Sequence, residues 1–374
     1  READVSAGGG GYFDVSGTVD TIGRPVSINA RPTVTLGQLD MIIDPTDAIA
    51  GFDQVSFNGF DFYARGRHHM PDTAYIPYIM TGRYYYLEQL QLQAAYIIGW
   101  RVGGSTESWM RQGSNGFFNG GETRGVAWSY RTTSYAAFIS PENSPEKEYF
   151  EDKLLNTIAC DEGKRNIPLS SSVRFSQWSF GKSNPTWDTG PSPLGFWEPG
   201  ISDYVQAPIK TDGSVLMAGA PWQNNFVMSA LGVSRDFGYP TGRLLEYMAR
   251  YMFNQLLNPA TTPYLIDRYI NATILSTNDW IQNWEQIDDC YSDLPTSWTI
   301  GQDVDHGYGY IALGALSFLY PYQVDGYTGA QAWDFYKNNK PEQNRFATES
   351  PKWNILPRTQ KYDRLMPPTN LMIQ

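Results

Sequence analysis

The chain has 374 residues, 41% of them hydrophobic and 18% charged, values of a globular protein rather than a disordered one. Its formal net charge of −11 argues against nucleic acid as a partner, and it holds no apolar run long enough to cross a bilayer as a helix. Aromatic residues make up 15%, with 25 Tyr, 18 Phe and 12 Trp, and such flat faces stack on sugar rings as well as on one another.

Residues 1–65 read as a β-rich N-terminal region or arm. "YFDVSGTVDTIGRPVSINARPTVTLG" and "QVSFNGFDFYARG" alternate short β-branched or aromatic runs with Gly and Pro, which are strand and turn signals. The opening "READVSAGGGGYFDVSG" lacks a basic stretch followed by an apolar one and starts with Arg. It therefore reads as a trimmed product, and its glycine-rich arm suits a piece of a larger assembly.

Residues 66–374 form the second expected region, in which helices come in pairs. In the first pair, spanning 72–100, "DTAYIPYIM" is followed by Thr81-Gly82 and then "RYYYLEQLQLQAAYIIGW". Leu87, Leu90, Ala94 and Ile97 share one face, Gly82 suits a left-handed helix end, and Pro77 keeps the first helix short. The second pair, 124–158, joins "TRGVAWSYRTTSYAAFI" to "PEKEYFEDKLLNTIA", with Ser144 as N-cap, Pro145 at the first helical position, and Glu146 and Glu148 at the positive end. A third pair is predicted over 222–257, broken at Pro240-Thr241. A fourth covers 306–338, with Tyr308, Ile311, Ala315 and Phe318 as its stripe. Two long insertions, 163–221 and 258–304, are rich in Pro, Gly and Trp, and Trp178, Trp187, Trp197 and Trp222 are candidates to stack on a sugar. Cys160 and Cys290 could be a disulfide or two buried thiols.

"YIMTGRYYYLEQL" is similar to the hairpin of six-hairpin, α/α-toroid carbohydrate-active proteins, a group that includes polysaccharide lyases and glycoside hydrolases. "GETRGVAWSYRTTSYAA" resembles the start of a toroid helix, and "ESPKWNILPR" looks like a segment that closes such a domain. The likeness covers roughly residues 60–358, although only four clear hairpins are visible where a full toroid has six. It implies a mainly α fold with a cleft built at the starts of the inner helices.

Three helix starts gather ionisable groups with aromatics: His68-His69, Asp72 and Tyr75; then Glu122, Arg124, Trp128 and Arg131; then Asp303, Asp305, His306 and Tyr308. β-Elimination from a uronic acid needs a cation for the carboxylate, a base for the C5 proton and an acid for the leaving oxygen. Arg124 or Arg131 suits the first role through its planar fork, while His69, His306, Tyr75 or Tyr308 could move protons. His68, Trp128, Arg131, Trp187, Trp197 and Trp222 would bind the glycan. Hydrolysis would instead use a pair among Asp72, Glu122, Asp303 and Asp305. The plain alternatives are N-caps for Asp72 and Asp305, surface ion pairs for the arginines and packing for the Tyr84–Tyr86 run. No P-loop, dinucleotide fingerprint, nucleophile elbow or zinc-protease helix is present, so no organic cofactor is expected. A divalent cation held by His68, His69, Asp72, Asp303, Asp305 and His306 is the weaker idea.

The sequence thus predicts an extracellular, periplasmic or surface-associated protein that acts on a polysaccharide or oligosaccharide, with β-elimination ahead of hydrolysis. A noncatalytic sugar-binding, surface or virion component is the rival. If the hairpins close into a ring, His68 or His69, Arg124 and His306 should line one cleft, with Tyr75 or Tyr308 between them.

Overall fold

The computed structural model describes residues 72–99, 123–162, 194–196, 221–261, 266, 283–287, 308–339 and 356–358, the side chain of Tyr308 excepted. It also describes the backbone of short strands elsewhere. Two of these ladders lie in the region expected to be β-rich: β1 (Phe13–Asp14) with β2 (Arg24–Pro25), and β3 (Ser56–Phe57) with β4 (Phe60–Asp61), both antiparallel. The rest of residues 1–65 lies outside the described residues. All four predicted pairs are helical, and the described residues are mainly α.

The chain divides into two units, one comprising residues 1–121, 128–159 and 364–374, the other 122–127 and 160–363. In the first unit, α1 (Tyr75–Thr81) and α2 (Tyr84–Gly99) make the opening hairpin. Asp72 starts it: its Oδ1 accepts the N–H groups of Ala74 and Tyr75 at 3.0 and 2.9 Å, which an exposed helix start otherwise leaves to water. Gly82 ends α1 at φ 63°, the left-handed conformation that only glycine adopts without penalty, and donates to the Tyr78 carbonyl at 2.7 Å. Gln93 Nε2 reaches back to Thr73 Oγ1 at 3.1 Å, which fixes the two helices as antiparallel. Leu87, Leu90, Ala94 and Ile97 are all buried, the predicted stripe.

Helix α3 (Thr123–Ile139) passes from one unit into the other after Ala127. Thr132, Thr133 and Ser134 are as buried as Ala136 and Ala137, whereas Arg124, Trp128, Arg131 and Tyr135 form a partly exposed stripe. Gln91 Nε2 donates to Ser140 Oγ at 3.1 Å, coupling α2 to the residue that follows α3. Helix α4 (Pro145–Asp161) begins as predicted, with Ser144 Oγ accepting the Lys147 N–H at 3.1 Å and Glu146 and Glu148 in the first turn. Its inner face is Phe150, Leu154 and Ile158. Lys147 Nζ donates to the Ala137 carbonyl at 3.1 Å and pairs with Glu142 at 3.1 Å, closing the turn between α3 and α4.

The second unit holds α5 (Pro221–Asp236), α6 (Gly242–Leu257), α7 (Tyr308–Leu319) and α8 (Gly329–Asn339). Each hairpin packs within itself, and in addition α5 lies on α7 while α6 lies on α8. First helices therefore meet first helices and second helices meet second. The Tyr336 hydroxyl donates to the Gly309 carbonyl at 3.0 Å, joining the end of α8 to the start of α7. Between them, β7 (Gln323–Val324) and β8 (Tyr327–Thr328) are joined by Asp325-Gly326, both with positive φ, the two-residue turn whose twist matches a hairpin. The core is Val227 and Leu231 of α5, Leu244, Met248 and Met252 of α6, and Ala315 and Leu316 of α7. Of the stripe predicted for α7, Ala315 and Phe318 are buried and Ile311 is half-exposed, while Ala312, Leu316 and Leu319 are buried beside it because the helix contacts α5 and α8 together.

Two chain segments outside the helices dock on this unit. Leu194 and Phe196 are buried, with Phe196 edge-on to Tyr251 at 4.7 Å and its carbonyl accepting from the Tyr247 hydroxyl at 3.1 Å. The tail segment at 356–358 is held harder. Arg358 Nε pairs with Asp236 at 2.9 Å, its guanidinium lies 4.3 Å over Phe318, and its N–H donates to the Ser317 carbonyl at 3.1 Å. Arg235 takes the other oxygen of Asp236 at 3.2 Å and the Phe318 carbonyl at 2.9 Å. One carboxylate thus holds two guanidiniums at the C-terminal ends of α5 and α7, where the helix dipole favours cations. Strand β5 (Met217–Gly219) pairs antiparallel with β6 (Asn271–Ile274) just ahead of α5.

Candidate functional site

In the first unit, Asp72 sets the start of α1 and so the direction of Tyr75. Trp128, Arg131 and Tyr135 follow at a spacing of three and then four residues, which places them on one stripe of α3. The two elements meet ring to ring: Tyr75 and Tyr135 stack at 3.9 Å between centroids and 7° between planes. Below them the Arg131 guanidinium lies 4.4 Å over the Trp128 ring. One cation, two phenols, one indole and one carboxylate are therefore gathered at a helix start.

The electrostatics follow from depth. Burial raises the Tyr75 phenol from 10.0 to about 12, with smaller pushes from Tyr135 and Asp72. Burial also raises Tyr135; Arg131 pulls it back down and Asp72 adds to the rise. Burial pushes Arg131 down, opposed by Tyr135 and Asp72. At neutral pH both phenols keep their protons, so they are donors, and Arg131 stays a guanidinium, whose intrinsic basicity is far higher. A phenol here suits the role of acid better than that of base. Arg131 is thus a cation stacked on an indole beside two protonated phenols.

The second unit holds a separate group. Gln223 Oε1 accepts the backbone N–H of Arg124 at 3.1 Å, capping the first turn of α3 with a side chain from α5. The Arg124 guanidinium lies 5.4 Å from the Trp222 ring centre, and Phe226 meets that ring edge-on at 5.8 Å. Trp222 itself is buried, 5% exposed, so here the indole is packed beneath an arginine. Gln223, Asn224 and Asn225 are all buried, and Asn225 Nδ2 donates to the Ile266 carbonyl at 3.0 Å. The start of α5 is thus lined with amides rather than hydrocarbons.

Of the residues predicted from sequence, Asp72, Tyr75, Trp128 and Arg131 come together, and Arg124 meets Trp222. Only the backbone of Tyr308 is described, as the first residue of α7. His68, His69, Glu122, Trp178, Trp187, Trp197, Asp303, Asp305 and His306 lie outside the described residues. Among the described residues no three His, Cys, Asp or Glu side chains gather where they could hold a metal ion. Asp72 serves as the helix cap that its position suggested, in addition to its influence on Tyr75. Sequence reasoning passed over Tyr135 and Gln223. Tyr135 was visible as the third member of the Trp128–Arg131 stripe, whereas no local signal marked Gln223, which caps a residue 99 positions away.

Cys160 is buried, and Cys290 lies outside the described residues. No helix among the described residues is long and apolar enough to cross a membrane. No protein-family model matches the chain, nor does any curated protein or solved structure.

Proposed function

We propose that this chain is a carbohydrate-active protein of the α/α-toroid type that cleaves a uronic-acid-containing glycan by β-elimination. The observation that carries the reading is the cluster of Arg131 on Trp128 beside the stacked Tyr75 and Tyr135. The packing of first helix on first and second on second in α5–α8 is the order in which toroid hairpins succeed one another, and it supports the architectural half of the proposal.

In the proposed reaction the uronate carboxylate pairs with Arg131, which acidifies the C5 proton by drawing charge toward the carboxylate. A base removes that proton, with His69 or His306 the sequence's candidates. The electron pair forms the C4–C5 double bond, the C4–O4 bond breaks, and the leaving oxygen takes a proton from a phenol. Tyr75 fits that last role because its raised pKa keeps it protonated at neutral pH. Trp128 supplies an apolar backing for the arginine, and through it for the sugar.

Incubation with a panel of acidic and neutral polysaccharides tests this. Rising ultraviolet absorbance from an unsaturated uronate, matched by new reducing ends, is the expected result. Reducing ends without absorbance would replace elimination with hydrolysis. Binding without either product would make the chain a sugar-binding component.

A further inference from the structure

The opening hairpin carries an apolar surface that the proposed chemistry does not use. Ile76, Ile79 and Met80 are 57%, 42% and 78% exposed, and Tyr84 and Tyr85 just past the turn are 51% and 62% exposed. The other exposed large apolar side chains among the described residues are Leu155 and Leu356, each alone. Ile76, Ile79 and Met80 form one stripe of α1, turned away from Tyr78, which is buried, and from Tyr75, which stacks on Tyr135. The turn at Gly82 brings Tyr84 and Tyr85 to the same end. A patch this concentrated marks a contact surface rather than scattered exposure.

We propose that this hairpin tip docks on a lipid surface, inserting Ile76, Ile79 and Met80 at the headgroup–acyl boundary with Tyr84 and Tyr85 at headgroup level. Charge is the first argument. From Thr73 to Leu87 there is no carboxylate, and the single ion is the exposed Arg83, in a chain whose net charge is −11. Chemistry is the second. Aliphatic side chains offer a sugar no hydrogen bond, whereas an aliphatic wedge flanked by tyrosine and arginine matches the layering of a bilayer interface. Shape and size are the third. The residues flank the turn at Gly82, and among the described residues their five side chains fall far short of the roughly twenty residues per side of a standard protein interface.

Flotation of the full chain with phosphatidylcholine vesicles tests the proposal. The wild-type protein should float with them, and phosphatidylglycerol should add little because the chain as a whole is acidic. The double variant Met80→Asp, Tyr85→Ser should partition at least about tenfold more weakly, since it replaces inserted apolar surface by a carboxylate. Leu155→Ser, which removes an exposed apolar side chain elsewhere, should leave flotation unchanged. Because the tip is exposed, circular dichroism should match the wild type, and the milder Met80→Ser should move partitioning in the same direction. Failure of the wild-type chain to float overturns the proposal, as does undiminished flotation of both tip variants. Self-association that the tip variants abolish, without vesicle binding, would assign the surface to a protein contact instead.

Discussion

The crossing of α5 and α7 depends on a hydrogen atom. A Cβ placed on Gly232 would run into Cγ and Cδ1 of Phe318 and come within 2.6 Å of its Cβ. These atoms are the root of the side chain, so the ring cannot swing clear without moving α7. Its face is also covered by the Arg358 guanidinium at 4.3 Å, so displacement would disturb the pairing of Arg358 with Asp236. Gly232→Ala should gain about 1 kcal/mol of helix propensity. Overpacking a fixed core position costs about 1–3 kcal/mol, and the upper end applies here, leaving a net loss of about 2 kcal/mol. The transition of this unit, followed by thermal melting, should fall by roughly 4–8 °C. Phe318→Ala, which removes Cγ and Cδ1, should cost less in the Gly232→Ala chain than in the wild type, since the clash goes with the ring. A melting temperature raised by Gly232→Ala alone would refute the close approach and the packing order built on it.

Arg131→Met, which keeps the apolar stem on Trp128, should remove about 2–4 kcal/mol of transition-state stabilisation on an acidic glycan, read as kcat/KM, while a neutral glycan still binds. Because the folded Tyr75 phenol titrates near 12 and the unfolded one near 10, its contribution to stability is intact below pH 10 and is lost as pH rises toward 12. Denaturation midpoints should therefore fall over that window, and less steeply in Tyr75→Phe, with Tyr135 accounting for part of the remaining slope. Asp236→Ala leaves Arg235 and Arg358 facing each other without their shared carboxylate and should cost about 3 kcal/mol in urea denaturation. Arg358→Met in the same chain should restore part of it, because only one cation then lacks a partner.

The helix pairs were legible because their signals are local. Asp72, Gly82, Ser144 and Pro145 each act within four residues of themselves, and the structure uses each in the predicted way. The stripe of α2 was readable for the same reason. On α7 periodicity found Ala315 and Phe318 but not the buried Ala312, Leu316 and Leu319, because a helix contacted on two sides has more than one apolar face. The candidate site was legible by residue type but not by partner. Tyr75 and Tyr135 stack across separate hairpins, and nothing near either residue in the chain specifies the other. The same holds for Asp236 and Arg358, although the tail had been expected to close the domain.

The docking of Leu194, Gly195 and Phe196 on α6 turns on the backbone of one glycine. Burying Leu194 and Phe196 contributes about 1.5–3 kcal/mol each. Gly195 is what permits it, with φ 81° and no space for a Cβ beside the Tyr247 carbonyl. Any side chain there should therefore weaken the seating of Leu194 and Phe196 while α6 itself remains folded.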